Sequence, residues 1–220
     1  MNRTDIDWCD FTWNPVVGCK HGCFYCYARM MNKRFKMISS WENPEFFCKR
    51  LTEKVPSLPK RRNPIAEQIS LNKPVIFIVS MGDLMGSWVP AEWINQVIDF
   101  TRDNPQAIFM FLTKNGKRYH EFSFPENCYL GVSATTSVGF NSVENIDAIG
   151  VLDRKNKTFL SLEPILGSFS NTNLKFFDYI IAGAMTGPGA LPPKKEWISS
   201  IDHPNVYLKQ SIKAILYEHK

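Results

Sequence analysis

Six short apolar runs constrain this chain more than any other feature. They are Val75–Ser80 (VIFIVS), Ile108–Thr113 (IFMFLT), Tyr129–Ser133 (YLGVS), Thr158–Glu163 (TFLSLE), Tyr179–Gly183 (YIIAG) and Val206–Lys209 (VYLK). Each is nearly continuous in hydrophobicity, as strands are when both faces of a parallel sheet are covered. Helical patterns lie between them. Pro90 opens one in which Trp93, Ile94, Val97, Ile98 and Thr101 share a face. Ser142 is placed to cap another, with Ile146, Ile149 and Leu152 inward, and Pro193–Ile201 groups Trp197, Ile198 and Ile201. Such alternation predicts βαβ units and a parallel sheet. A first strand near Phe11–Asn14 and a weak one near Phe46–Lys49 bring the count to six to eight. The expected fold is α/β: a (β/α) TIM-like barrel, partial or complete, with parallel strands.

The 220 residues suit a single domain spanning 1–220. Met1–Asp10 is polar and lacks the apolar core of a signal peptide. No apolar run approaches the ~20 residues of a membrane span. A cytoplasmic protein with no membrane partner is the expectation. Thiols stay reduced there, so six cysteines point to metal binding or catalysis before disulfides.

The net charge of +5 fits an anionic ligand or nucleic acid but does not require one. Three prolines and the Lys60–Arg61–Arg62 run make Val55–Pro64 a loop, either a solvated surface segment or an anion-facing flap.

Cys19, Cys23 and Cys26 stand as C-x3-C-x2-C in GCKHGCFYCYA. Soft thiolates select zinc or iron–sulfur clusters. Structural zinc wants four ligands, and no fourth of the right kind lies nearby; His21, inside the motif, is an awkward partner for the same metal. A cubane cluster normally takes four cysteines, so three leave one iron open. An open position is what makes a metal site catalytic. Gly18 and Gly22 allow a tight turn, whose amides form an anion-binding nest. Cys9, Cys48 and Cys128 fit no ligand spacing and read as core or incidental thiols.

The three-cysteine motif, with Tyr25 before its last cysteine, resembles the cluster loop of the radical S-adenosylmethionine (SAM) superfamily. TWNPVVGC (Thr12–Cys19), SMGDLM (Ser80–Met85), LTK (Leu112–Lys114), LGVS (Leu130–Ser133), SLEP (Ser161–Pro164), GAMTGPGA (Gly183–Ala190) and LKQ (Leu208–Gln210) extend the likeness along most of the chain. Over that length the chain is similar to a small phage-associated radical-SAM-like family of unknown substrate. The cysteine loop alone also resembles that of spore-photoproduct-lyase-like proteins. The resemblance implies a 4Fe–4S cluster on Cys19, Cys23 and Cys26, with SAM chelated at the open iron. It implies reductive cleavage of SAM to methionine and a 5′-deoxyadenosyl radical, an external electron donor, and contact of the Tyr25 backbone with adenine. One departure stands out: the family carries a Gly-Gly-Glu-like run where this chain reads Gly183–Ala184–Met185, a thioether in place of an acid.

Working residues of (β/α) barrels sit at the C-terminal ends of the strands. Here those ends offer Met81 and Asp83, Thr113 and Lys114, Ser133, Glu163, Met185, and Lys209 with Gln210. SAM needs a carboxylate for its ammonium and a cation for its carboxylate. Asp83 or Glu163 could serve the first and Lys114 or Lys209 the second, with Ser133 beside them. Asp83 could equally cap a helix, Lys114 be solvated, and Lys209 merely pair with Glu163. Trp8, Trp13 and Trp41 crowd the entrance region, and Trp13 is placed to wall the site from water.

The expected function is a radical-SAM enzyme. Nucleic acid or a nucleotide is the substrate class suggested by charge and loop resemblance; a bulky substrate would meet an open barrel mouth, or a partner protein would complete the site. The alternative is a non-catalytic iron–sulfur or zinc protein that binds nucleic acid.

Overall fold

The computed structural model describes residues 1–137, 155–170, 172–187 and 189–217. The helix expected after Ser142 lies outside these residues. The main sheet has eight strands. They are β1 (Asn2–Arg3), β2 (Phe11–Trp13), β5 (Val75–Ile78), β6 (Ile108–Thr113), β7 (Cys128–Ala134), β8 (Thr158–Leu162), β9 (Tyr179–Ala182) and β10 (Val206–Leu208), in that spatial order. All neighbours from β2 to β10 pair in parallel, and only β1 runs antiparallel. The six apolar runs are therefore six adjacent parallel strands. Among the described residues the sheet does not close into a barrel, because β1 and β10 are its margins and do not pair with each other. The weak strand expected near Phe46–Lys49 is also corrected. β4 (Glu45–Phe46) pairs with β3 (Val16–Val17) in a separate two-stranded ribbon.

Strand parity divides the apolar residues between two faces. Ile76, Ile78, Phe109, Phe111, Leu130 and Leu160 point to one face, where they join α3 (Ala91–Arg102) through Ile94, Val97 and Ile98. Pro90 immediately precedes α3, and the inward stripe recurs at the helical period. Phe77, Met110, Tyr129, Phe159, Tyr179 and Ile181 point to the other face. Trp8 joins this second group, its ring 4.4 Å from Phe77 of β5 and 6.0 Å from Phe159 of β8. A flat sheet would hold those two strands about 14 Å apart. One indole reaching both means that the sheet curls, with this face inside. The segment before β2 approaches the far margin too, where the Gln210 N–H donates to Asp7 Oδ2 at 3.1 Å.

Trp13 is corrected from its expected place. It stacks on Phe100 of α3 at 4.2 Å, on the outer face, and does not wall the cavity. The Lys60–Arg62 run is also only partly a surface feature. Arg62 grips the fully buried Asp10 from Nε and Nη2, at 2.7 Å for the shortest bond, and also donates to the carbonyls of Ala66 and Lys73. Asp10 further accepts the Val75 N–H at 2.9 Å. This pair ties α2 (Pro64–Ile69) to the starts of β2 and β5.

Removing one member of a buried pair strands the other charge, which costs about 3–5 kcal/mol. Arg62→Ala is expected to lose stability of that order in urea titration, whereas Arg61→Ala changes it by less than about 0.5 kcal/mol.

Candidate active site

The inner face changes chemistry along its strands. Three strands, β6, β7 and β8, bury an apolar residue low on the sheet and continue, two residues at a time, into a polar one near the C-terminal end. Met110 leads through Leu112 to Lys114; Tyr129 through Gly131 to Ser133; Phe159 through Ser161 to Glu163. Tyr207 of β10 is followed two residues on by Lys209. Curling of the sheet gathers these ends around a cavity of about 330 Å³. Cys19, Cys23, Cys26 and Tyr25 line it on one side. Asp83, Lys114, Ser133, Glu163 and Lys209 line it on the others. These nine meet there, although 190 positions separate Cys19 from Lys209, and Thr113 and Met185 join them; Met81 and Gln210, also offered by the strand ends, are not among the lining residues.

The cysteine loop is seated on the sheet edge by backbone contact. β5 is followed by Val79, a β-branched residue at φ +57, a conformation that costs about 1–3 kcal/mol and favours glycine. This turn carries Ser80–Asp83 over the inner rim, where the Asn14 carboxamide oxygen accepts from Ser80 Oγ and the Met81 N–H. Gly18 then bridges to Gly82 in parallel, its N–H donating to Met81 O at 2.9 Å. Gly18 has φ +111, and a Cβ there would fall 2.8 Å from Pro44 Cα; a Cβ on Gly82 would fall 2.7 Å from Gly18 O. Neither position has room for a side chain.

Asp83 completes the seat. Its Oδ1 accepts from Thr113 Oγ1 (2.7 Å) and the Met85 N–H (3.0 Å); its Oδ2 meets His21 Nε2 (2.7 Å) and the Lys114 N–H (2.9 Å). Burial alone would raise this carboxyl. The bond to His21, the His21 charge, and the Lys114 and Thr113 donors outweigh burial and hold it below its ordinary value. With four donors in place, Asp83 positions the loop and has little left to offer a ligand. His21, the awkward metal ligand, instead joins the cysteine loop to β6 through this carboxylate and packs edge-on against Trp88.

Cys26 caps α1 (Tyr27–Phe35), its sulfur accepting the Arg29 N–H at 3.4 Å, while Arg29 Nη2 donates to Cys23 O. Burial pushes the Cys19 thiol up to about 12, and its neighbours Asp83, Cys26 and Cys23 add to the rise against a bond from the His21 backbone. Burial and Cys23 likewise raise the Tyr25 hydroxyl, which hydrogen-bonds with Cys23 and Thr135. Among the described residues, no three His, Cys, Asp or Glu side chains are gathered as a site for one metal ion.

Across the cavity, Lys209 Nζ donates to Glu163 Oε1 at 2.5 Å, and both side chains pack on Gly183, where a Cβ would meet each at 2.9 Å. Lys114 Nζ reaches Ser133 Oγ at 3.2 Å and lies 5.9 Å from the Tyr25 ring centre. Ala184 and Met185 line the cavity beside Glu163. Cys9 and Cys128 are buried elsewhere, Cys48 is exposed, and all six cysteines are free. Sequence reasoning brought Trp8 and Trp41 only as far as the entrance region and did not place Ser161 in the site, yet all three line the cavity. Ser161 was within reach, since it shares the parity of Glu163; Trp8 was not, because only the curl brings it inside.

These features define an α/β protein with a cysteine-lined cavity at the C-terminal edge of a curled parallel sheet. The chain belongs to the family described as "Protein of unknown function (DUF5131)", whose model matches residues 3–207. No curated protein and no solved structure matches it.

Because the folded Asp83 carboxyl is depressed, its contribution to stability is complete above its ordinary value near 4 and fades as pH falls through the lower folded value. Asp83→Asn is expected to destabilise the protein at pH 7. It should also flatten the loss of stability below about pH 4, which thermal unfolding across pH 2–7 would read.

Proposed function

We propose that this protein is a radical-SAM enzyme whose Cys19, Cys23 and Cys26 hold a 4Fe–4S cluster. The observation that carries the reading is the convergence of all three cysteines with Lys114, Ser133, Glu163 and Lys209 on one cavity. Its volume of about 330 Å³ falls within the roughly 300–1,000 Å³ usual for small-molecule and cofactor sites. The curled sheet reads as a partial (β/α) barrel whose open margin the Asp7–Trp8 segment covers.

The donor set fits this cofactor better than a single zinc ion. Each thiolate of a cubane binds a different iron, so the sulfurs need not meet at one point, and three thiolates leave the fourth iron for a ligand. The raised Cys19 thiol is the state without metal, and a bound cation reverses that preference outright. Free cysteines suit a reducing, cytoplasmic setting. Among the described residues, no helix is long and apolar enough to cross a membrane.

When bound, the cluster and SAM together would supply one-electron cleavage of SAM to methionine and a 5′-deoxyadenosyl radical that abstracts hydrogen from a substrate. The chain's own residues orient and shield. Lys114 offers a cation to the SAM carboxylate, and Ser133 holds the Lys114 amine toward the cavity. Glu163 offers a carboxylate to the SAM ammonium while Lys209 restrains it. Asp83 falls out of this role, because its oxygens are already engaged. Trp8, Trp41 and Phe77 give the cavity apolar walls that limit water. The substrate is proposed to be nucleic acid or a nucleotide, on the resemblance of the cysteine loop to that of spore-photoproduct-lyase-like proteins.

A second reading rests on Met185, which lines the cavity where the resembled family has an acid. A thioether there cannot accept a charged hydrogen bond or a proton, and this favours a cluster protein that has lost the chemistry.

Anaerobic reconstitution followed by SAM and dithionite separates the readings. Wild type is expected to bind four irons per chain and release 5′-deoxyadenosine, and Cys23→Ala to do neither. A loaded cluster that binds SAM without releasing 5′-deoxyadenosine supports the second reading. A colourless protein carrying zinc refutes both.

A further inference from the structure

Residues 20–37 comprise most of the cysteine loop, α1 and the turn after it. They contain Lys20, Arg29, Lys33, Arg34 and Lys36 and no Asp or Glu. The remaining 21 basic residues are balanced by 21 acidic ones, so this one segment accounts for the whole net charge of +5. Lys20, Lys33, Arg34 and Lys36 are exposed.

The same segment is apolar where apolar groups are least expected. Among the described residues ten large hydrophobic side chains are exposed, and six of them lie here: Phe24, Tyr27, Met30, Met31, Phe35 and Met37. Phe24 is 65% exposed and sits between Cys23 and Cys26. Of the nine residues of α1, only Ala28 and Asn32 are buried. Asn32 anchors the helix by exchanging hydrogen bonds with the Ile38 backbone. Tyr27 lines the cavity and donates its hydroxyl to Ser80 O, whereas Met30, Met31 and Phe35 are not among the cavity-lining residues and remain exposed. Contiguous exposed apolar groups rimmed by charge mark an interaction surface.

We propose that this face docks a small acidic electron-carrier protein. The sign of the rim selects an acidic partner and repels a second copy of the same face. Aromatic and methionine side chains interspersed with Arg and Lys have a composition suited to a protein–protein interface, and methionine side chains adapt to a partner's shape. Nucleic-acid interfaces are more polar, and three methionines offer nothing to phosphate. A nine-residue helix suits the small contact of a redox encounter, below about 1,200 Å². Position supplies the last argument, because a protein seated on Phe24 rests directly against the cysteine loop. One electron would leave the carrier and enter the cluster held there; no bond forms or breaks at this surface and no proton moves. The carrier's role rests on the cluster reading, whereas the charge and the patch do not.

The test uses the full chain and flavodoxin as the acidic carrier, with two readouts. The first is binding of fluorescently labelled oxidised flavodoxin, followed by anisotropy. The second is the rate at which cluster-loaded protein oxidises flavodoxin hydroquinone in stopped flow. The variant K33E/R34E/K36E changes exposed side chains only, and K33Q/R34Q/K36Q serves in its place should the reversal impair folding. Wild-type affinity is expected to fall with added salt, and the reversed variant to lose at least tenfold in both affinity and rate. Iron content and reduction by dithionite should stay unchanged. Equal affinity and rate in wild type and variant would overturn the proposal, even with an intact cluster. So would loss in the variant of binding to anionic vesicles or a single-stranded oligonucleotide while flavodoxin binding persists. Absence of a cluster with charge-dependent flavodoxin binding intact would overturn the cluster reading and leave the docking surface standing.

Discussion

The seating of the cysteine loop on the edge of the sheet is the constraint on which the rest of the site depends. A loop with three thiols has no reason of its own to face a particular cavity. Here the Gly18–Gly82 contact brings two backbones closer than any side chain would permit. Asp83 then gathers donors from the loop, from its own turn and from the end of β6. A buried carboxylate is tolerable only when its lone pairs are filled, and four donors fill them. The strained turn at Val79 is the local cost of placing Asp83 where those donors converge.

Curvature of the sheet is the second element. The apolar inner layer, with Trp8 across Phe77 and Phe159, draws distant strands toward one another. The polar residues one or two pleats higher must then converge as well. Glu163 and Lys209 become partners across β9 because Gly183 leaves them room. Core packing and site geometry are thus one event: the layer that excludes water below also sets the spacing of the charged groups above.

The outer surface shows the opposite economy. Most of the chain balances its charges and hides its large apolar groups, whereas the cysteine loop and α1 do neither. A helix that buries two of its nine residues adds little to the core, so its exposed face is better understood through what lies outside the protein.

Much of this was readable in the sequence. Continuous apolar runs of four to six residues announced the parallel strands, since burial on both faces leaves no polar alternation. Pro90 and the inward stripe announced α3, and the spacing of Cys19, Cys23 and Cys26 put three thiols on one short loop. Tertiary structure alone decided three other matters. It left the sheet open, because closure depends on the curl of paired strands and not on their composition. It took Arg62 out of a basic run and buried it on Asp10, because a charge run shows its sign but not its partner. It committed Asp83 to His21 and Thr113, freeing Glu163 and Lys114 to face the cavity, because hydrogen bonds between residues 30 and 62 positions apart leave no periodic trace. Local patterns in a sequence record what each element buries, and the pairing of distant polar groups is settled only when the elements meet.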